Sequence, residues 1–307
     1  LDSRSGQTYW RHRGEAPFGT GPLMADGRIY AATEGRAGTL VALDLYNGKR
    51  RWRTFVGDVA APLVLRDSVI YGATHINGRA FAVNATTGRM LWSREIGPSL
   101  SGPLLTDDER VVVATLTDTL FVLSAITGAV STRHPLTAST TSALLLANDS
   151  TVVLTSPSGH VTAITIGSKY GHASGLREGD SSISRRTAKP LFSQWNIPTS
   201  SPVLGAPIVW SDTVFALTAS CDFWTIPVAV PAAARQLKLS CSTVAAPTLV
   251  RDGVLVATVR GEVALFDRQS GVRLWDRQVG SELRHPPLLR NSQIIVAPIL
   301  GNIVSLR

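Results

Sequence analysis

The residues of this chain that could do chemistry are few and poorly spaced for it. Its histidines, His12, His75, His134, His160, His172 and His285, form no pair at metal-ligand spacing, and no HExxH, GxSxG or glycine-rich phosphate loop occurs. The serines have no base near them in sequence, so no nucleophile stands out. Acids fall mainly in turn positions, as Asp26, Asp67, Asp108 and Asp149 do, where a short carboxylate bonds its own backbone. A calcium site needs about six to eight converging oxygens, and no spacing here gathers them. The pattern speaks against an enzyme and for a protein with no cofactor and no metal.

The cysteines are more informative. Cys221 and Cys241 lie symmetrically about Pro231. In an antiparallel hairpin centred there, Phe223 would face Leu239 and Cys221 would face Cys241, close enough for a disulfide if no bulge shifts the register. Two buried free thiols are the alternative. A bridge implies an oxidising compartment, the periplasm or the cell exterior.

The formal net charge of the 307-residue chain is +8, nearly all of it from arginine, since lysine stands only at 49, 169, 189 and 238. That excess favours anionic partners, an anionic surface among them. No nucleic acid is expected, because the basic residues are scattered rather than interleaved with exposed aromatics. No run of 18 apolar residues is present, so no transmembrane span is expected.

Behind these residues lies a repeat of about 40 residues. Asp44, Asn84, Ser124 and Asp267 stand at one phase, each after an apolar run, and lead to Asn47-Gly48, Thr87-Gly88, Thr127-Gly128 and Ser270-Gly271. Four residues past the glycine come Trp52, Trp92 and Trp275, with Thr132 in the remaining unit. A second marker recurs independently: Asp26-Gly27, Asp67-Ser68, Asp108-Glu109, Asp149-Ser150, Asp212-Thr213, Asp252-Gly253 and Asn291-Ser292 each precede a β-branched run. Such runs between tight turns are strands. Each unit supplies about four of them, the pattern of a propeller blade.

The repeat phase falls at residues 2, 44, 84, 124, 165, 227, 267 and 307, and the one long step marks an insertion, residues 167–190, in the fourth blade. Leu1 through Trp10 resembles the end of a repeat and the segment from Gly301 the start of one. The expectation is an all-β, seven-bladed propeller of four-stranded antiparallel blades, a single domain over 1–307. Residues 7 to 13 would close it as the outermost strand of the C-terminal blade, leaving no exposed sheet edge. Because Leu1 already lies inside a repeat, an upstream signal or anchor is expected.

Gly48, Gly88, Gly128 and Gly271 are expected to take positive φ. Trp52, Trp92 and Trp275, with Trp10 and Trp195, are expected to pack between blades. Trp210 and Trp224 lie off the repeat phase; core packing is the expectation there, with cofactor stacking the alternative.

Residues 39–52 (TLVALDLYNGKRRW), 80–92 (AFAVNATTGRMLW) and 263–275 (VALFDRQSGVRLW) resemble the pyrroloquinoline-quinone-type (PQQ-like) propeller repeat. That repeat is found in quinoprotein dehydrogenases and in non-catalytic relatives such as BamB, the outer-membrane-protein assembly lipoprotein. The resemblance implies that quinone-dependent members are longer and generally eight-bladed, many with two adjacent cysteines; here the cysteines are twenty apart. The resemblance therefore implies the non-catalytic BamB-like branch, with the departure that this chain counts seven blades where BamB has eight.

Function is then expected on the surface. The insertion offers Arg177, Arg185, Arg186 and Lys189 for acidic groups, and a long polar loop in a compact repeat is a candidate binding element. The opposite face, built from loops, offers Arg36, His75, Arg260 and Arg284 beside Glu34, Asp118 and Glu282. The reading is a protein-protein interaction scaffold of the bacterial envelope, periplasmic or extracytoplasmic. It would be membrane-associated through a partner or an N-terminal anchor, with the other subunits of a complex as its partners. Its rivals are an enzyme using a small molecule in the central channel and a ligand-sensing domain.

Overall fold

Runs that are apolar at every position, such as residues 40–43, demand a strand covered on both faces, and the polar turns that bound them cut the chain into short pieces. The computed structural model describes residues 8–99, 104–105, 109–137, 140, 142–148, 150–166, 194–199, 201–251, 253–290, 293–300 and 303–306. In it those runs become seven consecutive antiparallel sheets, the blades of an all-β fold, each with its strands paired in chain order.

The first sheet joins β1 (Leu23–Ala25), β2 (Arg28–Ala32), β3 (Thr39–Asp44) and β4 (Arg50–Phe55). The second joins β5 (Val64–Arg66), β6 (Val69–Ala73), β7 (Arg79–Asn84) and β8 (Met90–Glu95), and the third β9 (Leu104–Leu105), β10 (Arg110–Ala114), β11 (Thr119–Ser124) and β12 (Val130–Pro135). These three make one compact unit, residues 1–144. The other unit, residues 145–307, holds four sheets. They are β13 (Leu145–Asn148), β14 (Thr151–Ser156), β15 (His160–Thr165) and β16 (Gln194–Pro198); β17 (Ile208–Trp210), β18 (Thr213–Leu217), β19 (Asp222–Pro227) and β20 (Arg235–Lys238); β21 (Thr248–Val250), β22 (Gly253–Ala257), β23 (Glu262–Phe266) and β24 (Arg273–Gln278); and β25 (Leu288–Arg290), β26 (Gln293–Val296) and β27 (Val304–Leu306). The seventh sheet thus has three strands among the described residues. Residues 8–13 take no strand conformation, so the outermost strand expected over residues 7 to 13 is not formed there.

Within each unit, neighbouring sheets pack face to face. Tyr30, Leu40 and Ala42 of the first sheet share a core with Ile70, Phe81 and Val83 of the second, while the alternate residues Ala31, Val41 and Leu43 face the other way, toward Trp10. This two-sided burial is why the middle strands read as unbroken apolar runs.

Two kinds of turn set the register. The first is the two-residue type with both φ positive: Asp26 and Gly27 at 49° and 69°, Asp67 and Ser68 at 46° and 61°. In the fifth sheet it falls one residue earlier than expected, at Ser211 and Asp212, because Thr213 already pairs with Trp210. In the sixth, Gly253 pairs with Val250 inside the strand, where a Cβ would collide with the Phe266 carbonyl oxygen.

The second turn carries the repeat's polar residue. Asp44 Oδ1 accepts from the Tyr46 and Asn47 amides at 3.0 and 3.1 Å, Asn84 Oδ1 from those of Thr86 and Thr87, and Asp267 Oδ1 from those of Gln269 and Ser270. Each is a side chain imitating a backbone turn. Just beyond, one extra residue bulges out of the fourth strand, so that Trp52 faces Ala42 while Arg50 faces Leu43; the same shift recurs before Trp92, Thr132 and Trp275. The bulge re-aims the following side chain.

What it aims is the inter-sheet wedge. The Trp52 indole lies on Gly88 and its Nε1 donates to Ala85 O at 2.9 Å; Trp92 lies on Gly128 and donates to Ala125 O at 2.8 Å. Trp10, on no strand, meets Gly48 and Leu45 O in the same way. A Cβ on Gly88 would stand 2.6 Å from Trp52 Cδ2, and the φ of Gly48, Gly88, Gly128 and Gly271 is 68° to 73°. Trp195 donates to Val228 O at 3.2 Å between the fourth and fifth sheets, and Trp275 packs between the sixth and seventh.

Cys221 and Cys241 are bonded, with Cα atoms 6.0 Å apart, although the hairpin register differs from expectation. Phe223 pairs with Leu237 and Asp222 with Lys238, which puts Leu239 opposite Cys221. The chain then doubles back, Cys241 N donating to Leu239 O at 3.0 Å, and that tight turn returns the second sulfur to the first. Cys221 itself has φ 61°, at a turn position filled by Gly78, Asp118, Gly159 and Gly261 elsewhere.

Three outcomes follow from these contacts. Trp92→Ala should lower unfolding free energy by about 3 to 5 kcal/mol in urea titration, since the ring is 6% exposed and its N–H is bonded. Replacing both cysteines with serine should cost about 3 kcal/mol through the unfolded loop of separation 20, and Cys221→Gly with Cys241→Ser should cost less, because glycine accepts the positive φ. Hydrogen bonds from Ser270 hold the Asp267 carboxyl below its usual 3.8, so its stabilisation is present above that pH and is lost as pH falls through the lower folded value. Asp267→Asn, which keeps the turn as Asn84 does, should flatten the acid limb of the stability curve measured below pH 3.8.

Candidate functional site

The turns between second and third strands share a construction that the sequence reading missed. A buried hydroxyl begins six of the seven: Thr33, Thr74, Thr115, Ser156, Thr218 and Thr258, all 4% exposed or less. In four of them the hydroxyl oxygen accepts the amide that starts the next strand, from Thr39 at 2.9 Å, Arg79 at 2.7 Å, Asp222 at 3.1 Å and Glu262 at 3.0 Å. The spacing was there to be read, but threonine is common in strands and carries no turn signal by itself. A rigid turn of this kind presents its tip residues to solvent.

Arg36 and His75 occupy such turns in the first and second sheets, Asp118 (φ 54°) in the third and Arg260 in the sixth. Arg36 is exposed. His75 Nδ1 is 3.8 Å from Asp58 Oδ2, an ion pair whenever the imidazole is protonated. Asp58, 5% exposed in the connection from β4 to β5, joins the two turns: its Oδ1 accepts the Gly35 amide, its N–H donates to Asn77 Oδ1 at 3.0 Å, and its carbonyl accepts the His75 amide at 2.8 Å. The structure therefore brings the turn that carries Arg36 and the turn that carries His75 together on one buried carboxylate. A lone Asp in a connection gave no signal of that role.

Arg260 lines a cleft of about 350 Å³ with Ser240, Ser242, Glu262 and Arg273 beside the disulfide. Arg273 is held by Glu262 and Asp276 at 3.4 and 3.3 Å. Arg284, in the connection from β24 to β25, makes a two-point pair with Glu282 at 2.9 and 3.3 Å, which raises its pKa. Its charge is thus already matched. Arg177, Arg185, Arg186 and Lys189 lie outside the described residues.

Next to the disulfide, Asp222 is 7% exposed. Burial pushes its carboxyl up, but hydrogen bonds from Ser220, Lys238 and Gln236 outweigh that and bring it below the usual value. The group caps its own turn. No three His, Cys, Asp or Glu converge on one point among the described residues. Trp210 is 44% exposed, with the Arg268 guanidinium 4.4 Å from its ring centroid, whereas Trp224 packs with the core between the fourth and fifth sheets.

Comparison with known proteins agrees with this construction. The family model described as "Outer membrane protein assembly factor BamB" matches residues 1–95 and 76–171, more than half of the chain. The outer membrane protein assembly factor BamB of Burkholderia pseudomallei (strain K96243) is 21% identical over 265 residues, 85% of this chain and 55% of that protein; the chain spans about half the length of this relative. The crystal structure of BamB from Moraxella catarrhalis superposes with a TM-score of 0.67 at 16% identity, covering 97% of this chain and 84% of that one, which shows a common fold. The computationally designed Ika8 protein aligns at a TM-score of 0.47 and 15% identity over 95% of this chain and 96% of its own, a value that carries no argument. A polar residue closing its own turn, a tryptophan seated on the next sheet's glycine and the family match over the repeats that contain them lead to one conclusion: the chain belongs to the BamB family of PQQ-like propeller proteins.

Proposed function

We propose that this protein is a non-catalytic docking scaffold in a membrane-associated complex of the bacterial envelope, one that assembles outer membrane proteins. The observation that carries the proposal is where the repeat's polar and aromatic residues are committed. Asp44 and Asp267 are occupied by their own turns, and Trp52 and Trp92 by neighbouring sheets, so the groups a redox cofactor would draw on serve the fold. The turn tips with Arg36, His75 and Arg260 are left to meet partners. The printed name of the Burkholderia pseudomallei relative, an assembly factor for outer membrane proteins, supplies the process.

A disulfide between Cys221 and Cys241 fits an oxidising compartment, and we place the chain in the periplasm on that ground. No helix among the described residues is long and apolar enough to cross a membrane; membrane association, in this proposal, comes through a partner subunit or an N-terminal anchor. The excess of arginine suits acidic protein faces and anionic surfaces.

Native purification of the tagged protein from detergent-solubilised envelopes, followed by mass spectrometry, tests this. The expected result is a stable set of co-eluting envelope subunits, together with lower levels of outer-membrane β-barrel proteins when the protein is depleted. A monomer that reduces dye when given pyrroloquinoline quinone and Ca2+ would reverse the reading.

A further inference from the structure

Besides Thr132 in the third sheet, the wedge is replaced in the fifth. Thr225 of β19 stands at the repeat phase of Ala42, and the residue paired with it, where Trp52 faces Ala42, is Arg235. With no indole there, Leu237 and Leu239 are what lies nearest Gly271 in the neighbouring turn. What remains between the fifth and sixth sheets is a cleft of about 180 Å³ lined by Thr213, Thr225, Arg235, Leu237, Arg268 and Gln269. Two guanidinium groups and two hydroxyls face a space that a tryptophan fills elsewhere, and among the described residues no carboxylate lines it.

One wall of this cleft is the Arg268 side chain, stacked 4.4 Å from the Trp210 ring centroid. Trp210 also borders a groove of about 360 Å³ lined by Ile208, Val209, Leu249, Val250 and Arg251. Arg235 and Arg251 are exposed and form no ion pair among the described residues. Asp267, which precedes Arg268, has its Oδ1 occupied by two amides and the Ser270 hydroxyl of its own turn. An exposed Arg235 and a half-buried Arg268 beside an exposed tryptophan and an apolar trough are complementary to carboxylates next to an apolar side chain.

We propose that this paired cleft and groove is a docking site for an extended acidic segment of a partner protein. Its carboxylates would be held by Arg235 and Arg268, and an adjacent apolar side chain would lie in the groove against Trp210. Arginine suits the task because its planar fork receives a carboxylate through two hydrogen bonds. The inference deepens the scaffold reading and rests on it.

Fluorescein-labelled, end-capped peptides of sequence GLDEDG, GLNQNG and GADEDG, titrated against the whole protein by fluorescence anisotropy, provide the test. GLDEDG should bind saturably and more weakly at higher salt, while GLNQNG and GADEDG should each bind about tenfold more weakly. Arg235→Gln and Arg268→Gln should each weaken GLDEDG about tenfold, and Trp210→Ala should abolish the preference for GLDEDG over GADEDG; far-UV circular dichroism and the urea midpoint check that each variant is folded. No saturable binding up to about 1 mM peptide, equal binding of GLNQNG, or folded variants that bind like the wild type would each overturn the site. So would arginine-dependent binding to phosphatidylglycerol vesicles without peptide binding, which would make a lipid surface the occupant. Peptide failure with co-eluting subunits intact removes this site alone, whereas peptide binding without such subunits removes the assembly role and leaves the site.

Discussion

The structure depends on an indole seated on a glycine of the following repeat, with its N–H bonded to a carbonyl three residues before that glycine. Each half of the contact requires the other. The ring fits only where the glycine has no Cβ, and the glycine is needed in any case for its positive φ. The carbonyl it bonds is held in place by the Asx turn that Asp44 or Asn84 builds. A single step thus couples turn geometry, hydrogen bonding and apolar burial across two sheets, and its repetition binds consecutive blades within a unit.

The same economy bears on chemistry. A repeat that commits its carboxylates to turns and its tryptophans to packing keeps few groups for catalysis, and what varies between repeats lies at turn tips. Departures from the pattern therefore draw the eye. Thr132 and Arg235 stand where tryptophan is the rule. Thr132 bonds inward, its hydroxyl 3.2 Å from His134 Nε2, whereas Arg235 opens to solvent. The loss of a wedge at one junction weakens packing there, and the disulfide and the Leu237–Gly271 contact lie in that same fifth sheet and its border with the sixth.

Much of the fold was legible because the physics behind it is local. Gly48, Gly88, Gly128 and Gly271 announced positive φ by type, and the number of blades follows from counting apolar runs and turns. Errors came where a register depends on distant partners. Thr213 and Gly253 read as turn residues but belong to strands, since cross-strand pairing and the close approach to Phe266 decide their place. The disulfide was reached through a hairpin register two residues off, as the doubling-back after Leu239 has no residue signature. Of the candidate contact residues, Arg36 and Arg260 are at turn tips as expected, and Arg284 proved matched to Glu282 by a pairing only the fold creates.

By itself the sequence determined the period, the strand and turn chemistry, the excess of positive charge and the family to which the chain belongs, since all of these are written within one repeat and read at a distance of a few residues. The tertiary structure alone decided which side chains meet: Asp58 with the turns of Gly35 and His75, Trp52 with Gly88, Arg268 with Trp210. These contacts join segments roughly 20 to 60 residues apart, and whether they form is a matter of sheet packing, in which every side chain's position depends on the volumes of its neighbours.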